Sequence, residues 1–382
     1  MTTPRCRPSL AVGLIPLLLL AREIPAAGQV PTANSATANP APPQPAGDTP
    51  ANPAGLTSRE AIEAEFRRDL GRAERARLAR LAALAAGQPK PEAAATYEEA
   101  FRFAISAGLY NDAEPIAEAV LKGPGAQPAV EVAILAEMVN LVAEANRGAY
   151  EESLGSLAAA IRLREGAGEA KRAEVGRVLP IESRLALVNI YIQRLIQAGK
   201  YDVARRALTL IRDRSEEKAL KSLAETRLGQ IDLIGKPAPP IAGTSIGGKP
   251  VTLASDKGDV TLVVFWASWC LPNAQEAGRL DALAAAYGAK GFRVLGVNLD
   301  AVQDGGVPVE TVMPNIRRFL IEHNVRWPSV INGKGPEDFA KAYGVTEIPT
   351  NVLVGRDGKV LHLDLGRATL EPALNAALAA GK

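Results

Sequence analysis

Cys270 is the residue whose surroundings could do chemistry. The run from Thr261 to Trp266 is short, apolar and rich in β-branched residues, which predicts a strand covered on both faces. It ends at Ala267-Ser268-Trp269-Cys270, and an amphipathic helix through Leu280, Leu283 and Tyr287 follows at once. A cysteine at the start of a helix faces unpaired backbone amides and the positive end of the helix dipole. Both stabilise a thiolate, lowering the thiol below its free value of about 8.5. A thiolate is the attacking group of disulfide exchange. The other cysteine is Cys6, so neither a disulfide framework nor a zinc site fits. Two histidines, His323 and His362, exclude His-rich metal centres; each reads as a packing or surface residue. Asp300, Asp304, Gly305 and Gly306 lack the spacing of a calcium-binding loop, and residues 300 to 311 read as a polar insertion. No metal and no cofactor is expected.

The chain has 382 residues, 47% of them hydrophobic, enough for two or three domains with ordinary cores. Forty-four Lys+Arg against forty-two Asp+Glu give a net charge of +2, without the basic excess of a nucleic-acid-binding surface. Arg5 and Arg7 precede an apolar run from Leu10 to Ala21, and the small residues Ala26, Ala27 and Gly28 follow. That order is the layout of a secretory signal, and the run is shorter than the roughly 20 residues a spanning helix needs. Residues 1–28 are therefore read as a signal peptide, and the protein as exported, periplasmic or in the cell envelope. Cleavage near residue 28 leaves one cysteine; membrane attachment follows only if the signal stays uncleaved. Residues 29–56 are Pro, Ala, Asn and Thr with few large apolar side chains, a composition that cannot offset chain entropy and reads as a disordered tether.

Residues 57–233 read as a helical domain. Thr57 and Glu60 have the spacing of a capping box, and Ile62, Phe66 and Leu70 recur on one face. Helical patterns continue over 97–107, 115–122, 130–146, 150–164, 181–198 and 201–213. The Arg-rich run 67–80 alternates with Glu and Ala and reads as a solvated face. At three turns a glycine stands two residues before a tyrosine: Gly108 and Tyr110, Gly148 and Tyr150, Gly199 and Tyr201. Glycine permits the turn, and the ring is expected to pack back on the preceding helix. The pattern resembles the second-helix start of tetratricopeptide repeats. The tyrosines stand 40 and 51 residues apart, away from that family's period of about 34. The resemblance implies a concave face for a peptide or protein ligand; a helical spacer or dimerisation domain is the alternative.

From residue 234 to 382 strands alternate with helices and end in a hairpin plus helix, which predicts an α/β sheet with a mixed edge. Gly235-Lys236-Pro237-Ala238-Pro239, Val264-Phe265-Trp266-Ala267-Ser268-Trp269-Cys270, Tyr343-Gly344-Val345 and Ile348-Pro349-Thr350 occur in the order found in the thioredoxin superfamily. The region resembles its exported TlpA/ResA-type redoxin branch. The fold class is then multidomain, an all-α repeat-like region followed by a thioredoxin-like α/β domain. The resemblance implies that Cys270 is the attacking cysteine and that Pro349 is the cis-proline facing it. Trp269, Ile348 and Pro349 would form the groove for an extended substrate, with the backbone of Ile348 exposed for pairing.

Two departures limit what carries over. The family's Cys-x-x-Cys is Cys270-Leu271-Pro272-Asn273, so Asn273 stands where the resolving thiol belongs. A second cysteine there would act at an effective concentration of millimolar or above, whereas an outside thiol acts only at its bulk concentration. Val264 stands where thioredoxins proper carry a buried acid, and Ala267 lacks the threonine of a peroxiredoxin site. Three readings stay open. Cys270 forms mixed disulfides with envelope proteins or small thiols and needs an outside thiol for release; the domain is a catalytically inactive protein-binding module; or it is structural, with an inert Cys270.

Overall fold

The computed structural model describes residues 5–6, 58–123, 126–253 and 258–380. The segments read as signal and tether lie outside these, apart from a two-residue strand, β1 (Arg5–Cys6).

Nine helices follow among the described residues: α1 (Arg59–Ala86), α2 (Lys90–Ala107), α3 (Tyr110–Lys122), α4 (Val130–Asn146), α5 (Tyr150–Gly166), α6 (Glu169–Val178), α7 (Ile181–Gln197), α8 (Tyr201–Arg214) and α9 (Lys218–Ile231). The cap of α1 is Ser58, whose hydroxyl accepts the Ala61 N–H at 3.1 Å, one residue later than the Thr57 and Glu60 spacing predicts. Gly108, Gly148 and Gly199 have φ of 71°, 87° and 70°, left-handed values that side chains resist, so all three turns are made as the sequence suggests. The tyrosines after them diverge. Tyr110 donates its hydroxyl hydrogen back to the Ile105 carbonyl at 3.4 Å. Tyr201 packs against the cluster that holds Tyr191, Ile192 and Leu195 of the preceding helix, and its hydroxyl accepts the Leu363 N–H at 3.1 Å, from the other end of the chain. Helix α4 is the central one, with Val132 to Ala136 and Val139 to Ala145 buried.

The remainder folds as β2 (Ala242–Thr244), β3 (Pro250–Thr252), β4 (Val260–Trp266), α10 (Leu271–Tyr287), β5 (Phe292–Asn298), α11 (Val309–Glu322), β6 (Ser329–Ile331), α12 (Phe339–Ala342), β7 (Glu347–Ile348), β8 (Thr350–Val354), β9 (Val360–Leu363) and α13 (Arg367–Ala379). Strands β2 and β3 form a hairpin. The main sheet has the order β6-β5-β4-β8-β9, with β4, β5 and β6 parallel and β8 and β9 antiparallel to their neighbours. This is the mixed, thioredoxin-like sheet, with β4 at its centre and every residue of that strand buried. Gly296 in β5 is required by close approach: a Cβ there would stand 2.1 Å from Ser329 Oγ and 2.4 Å from the Trp327 ring.

The period of two in β4 assigns its faces. Val260, Leu262, Val264 and Trp266 pack with Leu280 and Leu283 of α10, Ile316 and Phe319 of α11, and Leu370 and Leu374 of α13. Val263 and Phe265 face the other way, into a cluster that also holds Tyr191, Leu195, Leu208, Leu228 and Ile231 of the helical region. The helical region thus covers one face of the sheet, and a single core runs through both parts. Ile234, at the junction, bridges to Val360 of β9.

Candidate active site

Strand β4 delivers the chain to the Ala267–Cys270 turn at the carboxyl end of the sheet, and α10 leaves from it. Cys270 is the N-cap residue of α10, with extended backbone (φ −93°, ψ 105°). Pro272 sits in the first turn, where a missing N–H costs nothing. The turn is held from β5's side by Asp300, which is 2% exposed. Its carboxylate accepts the Ser268 N–H at 2.9 Å and the Asn298 side-chain N–H at 2.6 Å, and also the Ser268 hydroxyl. Charge-assisted hydrogen bonds of this kind are the strong ones. Asp300, read in sequence as part of a polar insertion, is instead the brace of the cysteine turn.

Asn273 is 5% exposed and donates its side-chain N–H to the Ala267 carbonyl at 2.9 Å. Its own N–H bonds the Cys270 carbonyl at 2.9 Å. The amide is therefore fastened back onto the turn, while its Oδ1 is buried without a hydrogen-bond partner.

Across from Cys270 stands the edge that carries Ile348 and Pro349. The peptide bond between them is cis, as the resemblance implies. The Cys270 sulfur lies 3.6 Å from the Ile348 carbonyl oxygen. Both residues are 0% exposed, whereas the neighbouring Trp269 and Leu271 are 41% and 63% exposed. Cys270 is disulfide-bonded in this structure. The chain's other cysteine, Cys6, lies on β1, which runs parallel to β7 with Cys6 opposite Ile348. Sequence reasoning placed Cys6 in a segment lost on export and saw no role for it.

The helical region reaches this edge directly. Glu347, immediately before Ile348, accepts the Asn189 side-chain N–H at 3.1 Å and an Arg227 N–H at 3.4 Å. Arg227, on α9 and 3% exposed, also donates to Asn189 Oδ1 at 3.1 Å and to Gln230 at 3.0 Å. A buried guanidinium needs such partners, and here they tie α7 and α9 to the Ile348 edge. Nothing in the sequence pairs residues 120 and 158 positions apart.

The remaining candidates lie elsewhere in the fold. His323 caps the end of α11 and packs on Phe319, with ring centroids 4.5 Å apart. His362 is on β9, and burial lowers its pKa below the ordinary value. Among the described residues no helix is long and apolar enough to cross a membrane.

Residues 234–363 match the model of the AhpC/TSA family. Over 138 residues the chain is 30% identical to the thiol-disulfide oxidoreductase ResA of Bacillus thuringiensis, covering 36% of this chain and 73% of that protein. It is 27% identical over 135 residues to the thioredoxin-like protein YneN of Bacillus subtilis, covering 35% and 73%. Among solved structures, StoA of Bacillus subtilis is similar at 25% identity, covering 36% of this chain and 98% of that one, with a TM-score of 0.30. The family match falls on the sheet-containing part.

Proposed function

We propose that this chain, which belongs to the AhpC/TSA family of thioredoxin-fold proteins, is an exported thiol–disulfide exchange protein that works with one cysteine. The observation that carries the reading is the pairing of Cys270, at the head of α10, with the Ile348 carbonyl 3.6 Å from its sulfur. An extended substrate lying along Ile348 brings its own sulfur to Cys270. That β1 runs along β7 supports an edge able to accept extended backbone, and the disulfide at Cys270 supports a sulfur that another cysteine can reach.

The step balances without a cofactor. The Cys270 thiolate attacks one sulfur of a substrate disulfide, forming a mixed disulfide and expelling the other sulfur as a thiolate. An outside thiolate then attacks the substrate-side sulfur, which regenerates the Cys270 thiolate and leaves a new disulfide. Asn273, fastened to Ala267, supplies no sulfur for internal release, so the mixed disulfide is long-lived. The order of basic, apolar and small residues in positions 5–28 supports export, and cleavage there removes Cys6. The partners on this reading are envelope proteins or small thiols, with the helical region as the surface that receives a protein partner.

A second reading, a binding module without exchange, is favoured by one observation. Val264, where a proton-transferring acid would stand, is 5% exposed and packed in the core.

The test is to reduce a Cys6→Ser chain, add oxidised glutathione and weigh the intact protein. The account expects one glutathione per chain, located on the Cys270 peptide and removed by dithiothreitol. No adduct on the folded chain, with full labelling after unfolding, leaves the binding module.

A further inference from the structure

Helix α1 carries an apolar face that nothing in the described chain covers. Ile62, Phe66 and Leu70 are 53%, 61% and 42% exposed, and the spacing of four puts them on one side of the helix. The reason for their exposure is the length of α1. Its 28 residues run for about 42 Å, whereas the 18 residues of α2 packed against it span about 27 Å. Contact with α2 is made by the second half of α1. Leu78 and Ala85 are its buried residues, and Arg77 pairs with Glu99 at 3.1 Å and lies 4.3 Å from the Phe103 ring centroid. The first half overhangs. A free helical stretch this short is marginal in water without a packed face, so the overhang calls for a cover.

Charge says what the cover is. Before Phe66, Glu60, Glu63 and Glu65 stand against Arg59, a net of −2; after it, Arg67, Arg68, Arg72 and Arg75 stand against Asp69 and Glu74, a net of +2. Two copies of α1 laid antiparallel and centred on Phe66 set each acidic half against the other's basic half. Ile62 then faces Leu70, and Phe66 faces its own counterpart. Laid parallel, like charges would meet. Such self-complementarity is the mark of a two-fold, isologous contact. The chain's own residues 29–56 offer Val30 and Leu56 as their only large aliphatic side chains, too little to cover three.

We propose that this face of α1 joins two copies of the chain, antiparallel about Phe66. The patch is small, so the dimer belongs to the weak class of interfaces below roughly 1,200 Å² and dissociates on dilution.

Sedimentation equilibrium of the full chain over a range of concentrations tests it. A monomer–dimer equilibrium is expected, and Phe66→Glu should weaken association at least about tenfold with the circular dichroism and melting temperature unchanged. Two further chains test the charge matching. One carries Glu60→Arg, Glu63→Arg and Glu65→Arg; the other carries Arg67→Glu, Arg68→Glu and Arg72→Glu. Each should associate poorly alone, and the mixture should form a heterodimer. A chain that stays monomeric throughout, a dimer indifferent to Phe66→Glu, or a mixture no better than its components would each overturn the proposal. So would capture of the stripe by anionic lipid vesicles in place of a second copy.

Discussion

The Cys270 sulfur and the Ile348 carbonyl oxygen stand 3.6 Å apart, although 77 residues of chain, Leu271 to Glu347, lie between the two in sequence. The sheet makes that meeting: β4 ends in the cysteine turn, and β8, its antiparallel neighbour, begins just after Pro349. The chemistry proposed for this chain depends on that juxtaposition and on what holds each side of it.

On the proposed one-cysteine reading, Asn273 leaves release of the mixed disulfide to an outside thiol. Asn273→Cys should convert the site to one that releases substrate internally, because a thiol in the first turn acts at an effective concentration of millimolar or above. Turnover of a disulfide peptide with dithiothreitol, slow in the parent, should rise by at least about tenfold. The variant also removes a buried Oδ1 that has no partner, so the fold should tolerate it. An unchanged rate in a well-folded variant would locate the defect elsewhere in the site.

Arg227 is a positioning residue for the Ile348 edge. Arg227→Met leaves Glu347 and Asn189 short of a donor and should cost roughly 1–3 kcal/mol of stability. It should also lower the rate of glutathione addition at Cys270 under conditions where the protein remains folded. Arg227→Lys keeps the charge and should restore part of that rate. If Arg227→Met changes the melting temperature alone, the link between helices and edge is structural only.

Asp300 braces the turn two residues before the cysteine. Asp300→Ala deprives the Ser268 N–H and hydroxyl of their acceptor and should slow exchange at Cys270 by about tenfold, or about 1.4 kcal/mol. Asp300→Asn should lie between the two. The readout is the rate of mixed-disulfide formation beside circular dichroism of the same samples.

His362 gives the protein an acid-sensitive strand. Burial lowers its pKa from the ordinary 6.5, so below about pH 6.5 the unfolded chain takes up a proton that the folded chain resists. Stability attributable to this group is complete above pH 6.5 and declines as the pH falls toward the depressed folded value. The melting temperature of His362→Gln should therefore fall less steeply than the parent's over that window; identical slopes would remove His362 from the account.

Much of the cysteine side of the site is legible in sequence because its signals are local. An apolar β-branched run, a cysteine and an amphipathic pattern stand next to one another, and the strand and the helix they predict are the ones observed. Where sequence reading falls short, local signals are weak or distant ones decide. Helices α6 and α9 have sparse apolar residues between charges and were not expected. Helix α2 begins at Lys90, not Tyr97, because its opening turns are mostly alanine. Helix α3 begins at Tyr110, not at residue 115, with Pro115 inside, so a proline near a start misleads about the boundary. Tyr201 with Leu363 and Arg227 with Glu347 are products of packing between regions, and no spacing rule encodes them.

The central claim is that Cys270 is a reactive thiolate set by the head of α10. The direct measurement is the rate of iodoacetamide alkylation of Cys270 against pH in the reduced Cys6→Ser chain. The account predicts a midpoint about one unit or more below the free-thiol value of about 8.5. A midpoint at or above that value, or a folded chain that resists alkylation at every pH, would contradict it.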